Sequence, residues 1–146
     1  MPKTVSAKWI PEGYHTVTPY LVVRGASQFL SFMKEAFDAK ELLKLASPDG
    51  EINHGEVKIG DSMVMFGNSS EKAPGFPAML HLYVEDADSL YNRALKAGAV
   101  SIREPEDRPF GDRVSAIKDS WGNQWWIATH IKDLTPEEIA RNTASQ

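Results

Sequence analysis

The chain has 146 residues, 42% of them hydrophobic, and a formal net charge of −4 at pH 7, which fits one domain of ordinary size with a buried core. Its basic residues are spread along the sequence, which argues against a nucleic-acid partner, and its apolar runs fall far short of the ~20 residues that cross a membrane. Because it lacks cysteine and the apolar stretch of a signal peptide, we expect a cytoplasmic protein.

The first half of the chain predicts one strand, one helix and three further strands. Residues 1–16 have no regular period and are expected to form an extended N-terminal arm. The first module follows at residues 17–68. Ser27 is expected to cap its helix. The alternating and helical runs place the five elements at 18–23, 28–37, 41–46, 52–59 and 63–66.

The second half predicts the same order of elements. Residues 69–78 are rich in turn-forming residues and are expected to link the modules. The second module occupies residues 79–130, with a polar loop predicted between residues 103 and 112. Its elements are expected at 79–84, 87–97, 99–102, 113–118 and 124–129. A C-terminal helix is predicted at 136–142, within residues 131–146.

The two halves repeat each other with a shift of about sixty residues. This shift aligns Val23 with Val84, Gly25 with Asp86 and Gly60 with Gly122. The sequence therefore predicts an α+β fold in which two tandem βαβββ modules form a curved mixed sheet with a concave pocket.

Several short motifs add a family resemblance to this pattern. They are Val84–Asp88, Arg103–Asp107, Phe110–Arg113 and Asp119–Asn123. Together with the repeat, they resemble the vicinal oxygen chelate superfamily of glyoxalase I, extradiol dioxygenases, and fosfomycin and bleomycin resistance proteins. The Ile59–Ser62 turn and the Ala128–His130 ending are similar to the PhnB-like branch.

The resemblance implies a divalent metal held by His, Gln or Glu on the first and last strands of each module. Aligned with the family, those positions fall on Thr18, Met79, Trp126 and the neighbourhood of Val64. Because none of these side chains is a usual metal ligand, we predict no cofactor.

Strand alternation predicts which side chains face the concave side. Tyr20, His81, Tyr83 and Trp126 should make this face aromatic, whereas Trp125 and Ile127 should point into the core. The candidate ligand-binding residues are Tyr20, His54, Glu56, His81, Tyr83, Phe110, Arg113, Gln124 and Trp126.

Several of these residues allow more than one interpretation. His81 is a hydrogen-bonded core residue, a ligand contact or a displaced metal ligand. His54 and Glu56 either act on a metal or a proton, or they hydrogen-bond across the sheet or pair with Arg113. Trp126 is a stacking platform or plain packing.

The favoured hypothesis is a homodimer that binds a small aromatic or flat polar molecule without a metal, beside Trp126, Tyr20 and Phe110. The alternative is a metal-dependent lyase, isomerase or dioxygenase that uses His54, Glu56 and His81. A third possibility is an interaction module whose pocket is filled by its own side chains.

Overall fold

A computed structural model of the chain describes residues 6–144, so the first five residues of the expected N-terminal arm lie outside it. Eight strands and three helices follow one another in the described part. Their bounds are β1 Tyr20–Val23, α1 Ala26–Phe37, β2 Lys40–Ala46, β3 Ile52–Ile59, β4 Ser62–Asn68, β5 Met79–Tyr83, α2 Ala87–Lys96, β6 Val100–Asp107, β7 Asp112–Lys118, β8 Gln124–His130 and α3 Pro136–Ala144. Within residues 6–144 no helix is both long enough and apolar enough to span a membrane.

The strands form two four-stranded mixed sheets with the same topology. The order is β1-β4-β3-β2 in the first sheet and β5-β8-β7-β6 in the second. In each module the first strand pairs parallel to the last, and the other pairs are antiparallel. The predicted α+β fold of two βαβββ modules is confirmed, with the curved sheet divided into one sheet per module.

The first residues of α1 and α2 are hydrogen-bonded to the last strand of their own module. Asn68 Oδ1, at the end of β4, accepts hydrogen bonds from the backbone N–H groups of Gly25 and Ala26 at 2.8 and 3.3 Å. Thr129 Oγ1, near the end of β8, accepts from Ala87 N at 2.9 Å. These bonds satisfy donors that have no partner within the helix.

The predicted cap of the first helix is wrong. Ser27 lies inside α1, and its hydroxyl donates to Gly50 O at 3.1 Å. The capping position belongs to Gly25, whose φ of 83° is in the left-handed region that glycine adopts without strain. Asn68 supplies the acceptor that a serine cap would have provided.

The loop predicted between residues 103 and 112 is mostly strand. β6 continues to Asp107 because Glu106 and Asp107 pair with Val114 and Arg113 of β7. The register between β6 and β7 shifts on both sides of Arg103. These two shifts accommodate extra residues in β6, among them Pro105. These irregularities decide which way the side chains of β6 point.

The core joins the two modules through aromatic rings. Phe29 of α1 lies 5.0 Å from Trp121, and Phe37 lies 4.5 Å from Trp125, between ring centroids. Trp125 and Ile127 are fully buried, as predicted. The indole N–H of Trp121 also donates to Arg24 O at 2.6 Å, so the two modules share one core and a direct hydrogen bond.

Candidate functional site

The concave face of the first module is defined by strand register. Tyr20 of β1 pairs with Met65 of β4, which pairs with Glu56 of β3. Paired residues on neighbouring strands point to the same side of a sheet, so these three side chains share one face. Leu21 and Val57 alternate with them and are buried on the opposite, helix-bearing face.

Four side chains on this face form a continuous hydrogen-bonded chain. Tyr20 Oη lies 3.1 Å from His54 Nδ1, and His54 Nε2 lies 2.8 Å from Glu56 Oε2. Glu56 Oε1 accepts a short hydrogen bond from the hydroxyl of Tyr14. We call Tyr14, Glu56, His54 and Tyr20 the tyrosine-flanked chain.

The structure brings Tyr14 into a site where the sequence did not place it. It belongs to the N-terminal arm, which has no periodic pattern, and its partner lies 42 residues away. No local signal in the sequence therefore links Tyr14 to Glu56.

The tyrosine-flanked chain fixes the charges of its members. The hydrogen bond from Tyr14, followed by that from His54, holds the pKa of Glu56 below its usual range. Burial and the bond to Glu56 raise the pKa of Tyr14 to about 12. Near neutral pH the tyrosine-flanked chain therefore contains an ionised Glu56 and a protonated Tyr14. These charge states favour a hydrogen bond donated by Tyr14.

A glycine makes room for Tyr20, which lies at the opposite end of the tyrosine-flanked chain from Tyr14. A Cβ at Gly67 of β4 would lie 2.9 Å from Tyr20 Oη and 2.5 Å from Asn53 O. Because the second contact is with backbone, any side chain at this position would shift β4 or β3. Gly67 thus lets the Tyr20 hydroxyl lie flat on the sheet beside His54.

The concave face of the second module is aromatic. In the register of its sheet, His81 pairs with Trp126, and Tyr83 pairs with Ala128. The rings of His81 and Tyr83 are 5.0 Å apart between centroids. Trp126 is half-buried, and its indole N–H donates to Gln124 Oε1 at 3.1 Å, which fixes the plane of the ring.

A second polar group lies at the end of this face. The Tyr83 hydroxyl donates to Asp112 Oδ2 at 2.7 Å, and Asp112 Oδ1 lies 2.7 Å from His130 Nδ1. His130 Nε2 lies 2.6 Å from Asp133. The hydrogen bonds to Asp133 and then Asp112 raise the pKa of His130. This group holds the Tyr83 ring in place.

The structure does not bring Arg113 to the concave face. Its guanidinium contacts Asp88 of α2 at 2.7 and 3.0 Å and Asp107 at 3.0 Å. Arg113 pairs with Thr129 in the sheet, so it lies on the helix-bearing side. The alternative in which His54 and Glu56 pair with Arg113 is therefore excluded. Phe110 lies in the turn before β7 and is partly exposed.

A cleft of about 1240 Å³ lies between the modules. Its lining includes His81 and Tyr83 together with Phe37, Lys58 and Trp125, but not His54, Glu56 or Trp126. A smaller cleft of about 330 Å³ is lined by Tyr20 and His81, so the candidate residues divide between these two clefts and the two concave faces.

Comparison with known proteins agrees with this architecture. The sequence profile of the Glyoxalase/Bleomycin resistance protein/Dioxygenase superfamily matches residues 14–127, most of the chain. The chain belongs to this superfamily.

Relatives in sequence and in structure extend the match. Uncharacterized protein Rv0887c from Mycobacterium tuberculosis is 31% identical over 141 residues, covering 89% of this chain and 83% of the relative. TioX from Micromonospora sp. ML1 superposes with a TM-score of 0.68 at 21% identity, covering 79% of this chain and 98% of TioX. The PhnB protein from Bacillus cereus gives 0.64 at 17% identity, covering 79% and 99%. At these identities the two solved structures are evidence for the shared fold alone.

The metal site of the superfamily does not fit the residues of this chain. Val64 is buried on the helix-bearing side, so the concave neighbour on β4 is Met65, which is not a usual metal ligand either. Within residues 6–144 no three His, Asp or Glu side chains are grouped so that they could hold a metal ion. His54 and Glu56 direct both nitrogens and both oxygens to other protein atoms.

Proposed function

We propose that the protein binds a small organic molecule on its concave faces without a metal and encloses it as a homodimer. The observation that carries the proposal is the tyrosine-flanked chain. A chelating His–Glu pair needs unshared electron pairs that converge on one point. Here the corresponding atoms are bound to Tyr14, to Tyr20 and to each other.

The tyrosine-flanked chain has a definite direction of hydrogen bonding that suits ligand recognition. An ionised Glu56 accepts from Tyr14 and from His54 Nε2–H, so His54 Nδ1 is left to accept from the Tyr20 hydroxyl. The oxygen of Tyr20 then keeps acceptor capacity toward the open face. A ligand N–H or O–H group is the complementary partner.

Aromatic rings supply the contact area beside this acceptor. Tyr20 is 44% exposed and Tyr83 is 64% exposed, and Trp126 is half-buried. Each ring is held by a hydrogen bond, to His54, Asp112 and Gln124 respectively. Because the rings are already oriented, little side-chain freedom is lost when a flat ligand stacks on them.

The apolar residues around the concave faces support a homodimer. Leu43 and Leu45 share the face of His54 and Glu56, and Met79 shares that of Trp126. Leu45 is 53% exposed and Met79 is 63% exposed. Large exposed apolar patches mark interfaces in many proteins, and a second copy with the same two faces would cover these side chains symmetrically.

Elemental analysis of protein purified without a histidine tag tests the metal-independent function. We expect zinc, nickel, manganese and iron each to be far below one equivalent per chain. One equivalent of any of them would overturn the proposal and favour the metal-dependent lyase, isomerase or dioxygenase.

A further inference from the structure

Two arginines share one carboxylate oxygen at the margin of the second module's concave face. Arg103 Nη1 and Arg108 Nη1 both contact Glu106 Oε1, the latter at 2.6 Å. Among residues 6–144 Glu106 is the one ion-pair partner of both arginines, so one carboxylate faces two guanidinium groups and the three side chains have a net charge of +1. Both arginines are more than half-buried, which reduces screening of that charge by water.

The irregular register of β6 turns Arg103 toward the concave face. Ser101 points to the helix-bearing side, where it accepts a hydrogen bond from Tyr91 of α2 at 2.6 Å. After the first register shift, Arg103 pairs with Ala116, which pairs with Trp126, which pairs with His81. One row across the sheet therefore contains an imidazole, an indole, a methyl group and a guanidinium. We call it the indole–guanidinium row.

The spacing within this row suits a flat molecule with an anionic end. Neighbouring strands are about 4.8 Å apart, so the backbones of Trp126 and Arg103 are about 10 Å apart. In this row only Ala116 lies between them, and its methyl group is fully buried. A ring stacked on the indole can thus present a carboxylate to the guanidinium.

The carboxylates that the sheet register places on this face, Asp112 and Glu106, already have donors of their own. Lys118 pairs with Gln124 in the next row and is exposed, which adds positive charge near Trp126. The negative charge of Asp112 is directed to Tyr83 and His130. Glu106 is held by Arg103 and Arg108.

We propose that the indole–guanidinium row binds an aromatic carboxylate, with the ring stacked on Trp126 and the carboxylate oxygens bound by the two-pronged guanidinium of Arg103. This assignment rests on the proposed small-molecule function and adds the chemical class of the ligand. Arginine suits the role because its planar N–H groups match both oxygens of a carboxylate.

Calorimetric titration with two matched probes tests the assignment. 2-Naphthoate carries the carboxylate, and 2-naphthamide has the same ring without the charge. We expect naphthoate to bind about ten-fold more tightly or better, since hydrogen bonds to a charged group contribute more than neutral ones. Arg103→Gln should remove this preference and leave the affinity for naphthamide unchanged within about two-fold.

Two further variants keep the result interpretable. Arg103→Lys retains the charge without the two-pronged geometry and should give an intermediate preference. Lys72→Gln removes one positive charge from the loop between the modules and should leave the preference as in the wild type. Melting curves of each variant show whether the fold is retained.

The outcomes separate this inference from the function on which it rests. Equal affinity of the wild type for both probes, or a preference that survives in Arg103→Gln, would overturn the aromatic carboxylate while leaving small-molecule binding intact. Failure of both probes to bind the wild type would overturn the proposed function, and this inference with it.

Discussion

His54 Nε2 and Glu56 Oε2 lie 2.8 Å apart on the concave face of β3. This contact supports one of two interpretations of a His-x-Glu pair. If both side chains pointed to one empty position, they would offer two metal ligands. Bound to each other and to Tyr14 and Tyr20, they form a polar surface with fixed donors and acceptors.

Replacing Tyr14 with phenylalanine should raise the pKa of Glu56 toward its usual range, because the bond from Tyr14 is the largest cause of its lowering. A carboxylate with a lowered pKa in the folded state stabilises the protein above its unfolded-state pKa of about 4.3. That stabilisation is lost as pH falls through the folded-state pKa. The melting-temperature gap between wild type and Tyr14→Phe should therefore be large at neutral pH and shrink in acid.

Tyr91→Phe is the matched control, because it removes a tyrosine hydroxyl that is bonded to Ser101 and not to a carboxylate. Its melting-temperature gap should be the same in acid and at neutral pH. A Tyr14→Phe gap that is equally independent of pH would show that Tyr14 does not act on an ionised Glu56.

The fold could be predicted from the sequence because it is encoded twice. The helix starts at Gly25 and Asp86 align at one fixed shift, and each module repeats the same order of periodic runs. A mistake about one element, such as the cap at Ser27, does not alter the count of modules.

The candidate site could be predicted only in part, because period-two alternation fails where a strand is irregular or buried on both sides. β7 is buried on both faces, so its sequence gives no sign that Arg113 faces α2. The register shifts of β6 hide the orientation of Arg103. Where pairing is regular, the alternation predicts the face of a side chain, as Glu56 of β3 and Trp125 of β8 show.

Replacement by alanine should affect mainly stability at Trp125 and mainly ligand affinity at the adjacent Trp126. Trp125 is fully buried and its indole donates to Asp119, so Trp125→Ala should lower the free energy of unfolding by about 3–5 kcal/mol. Trp126→Ala should cost less stability but weaken the binding of 2-naphthamide by about 1–3 kcal/mol. Denaturant unfolding and calorimetry measure the two effects. A large loss of stability in Trp126→Ala with unchanged affinity would show that this ring is core filling.

Asn68→Ala should lower the free energy of unfolding by about 1 kcal/mol, because two N–H groups at the start of α1 lose their acceptor. Asn68→Asp keeps an acceptor oxygen and adds a negative charge at the positive end of the helix, so it should retain most of the stability. Equal losses in both variants would indicate that the NH2 group of Asn68 stabilises the protein, and not its acceptor oxygen.

The protein should be a dimer. Its particle mass should be twice that of one chain, which is 16.2 kDa. Leu45→Glu introduces a charge on the concave face and should shift the protein to monomers, whereas Ile131→Glu, after the end of β8, should not. Size-exclusion chromatography with light scattering measures the particle mass of both variants. A wild-type particle of one chain mass at micromolar concentration would refute the dimer.

Metal-independent binding is tested most directly by titrating 2-naphthamide into the protein before and after treatment with a chelator, and again after zinc or nickel is added. This neutral probe depends on the aromatic face and not on Arg103. We expect saturable binding with the same dissociation constant in all three samples. Binding that disappears on chelation and returns with the metal would contradict it.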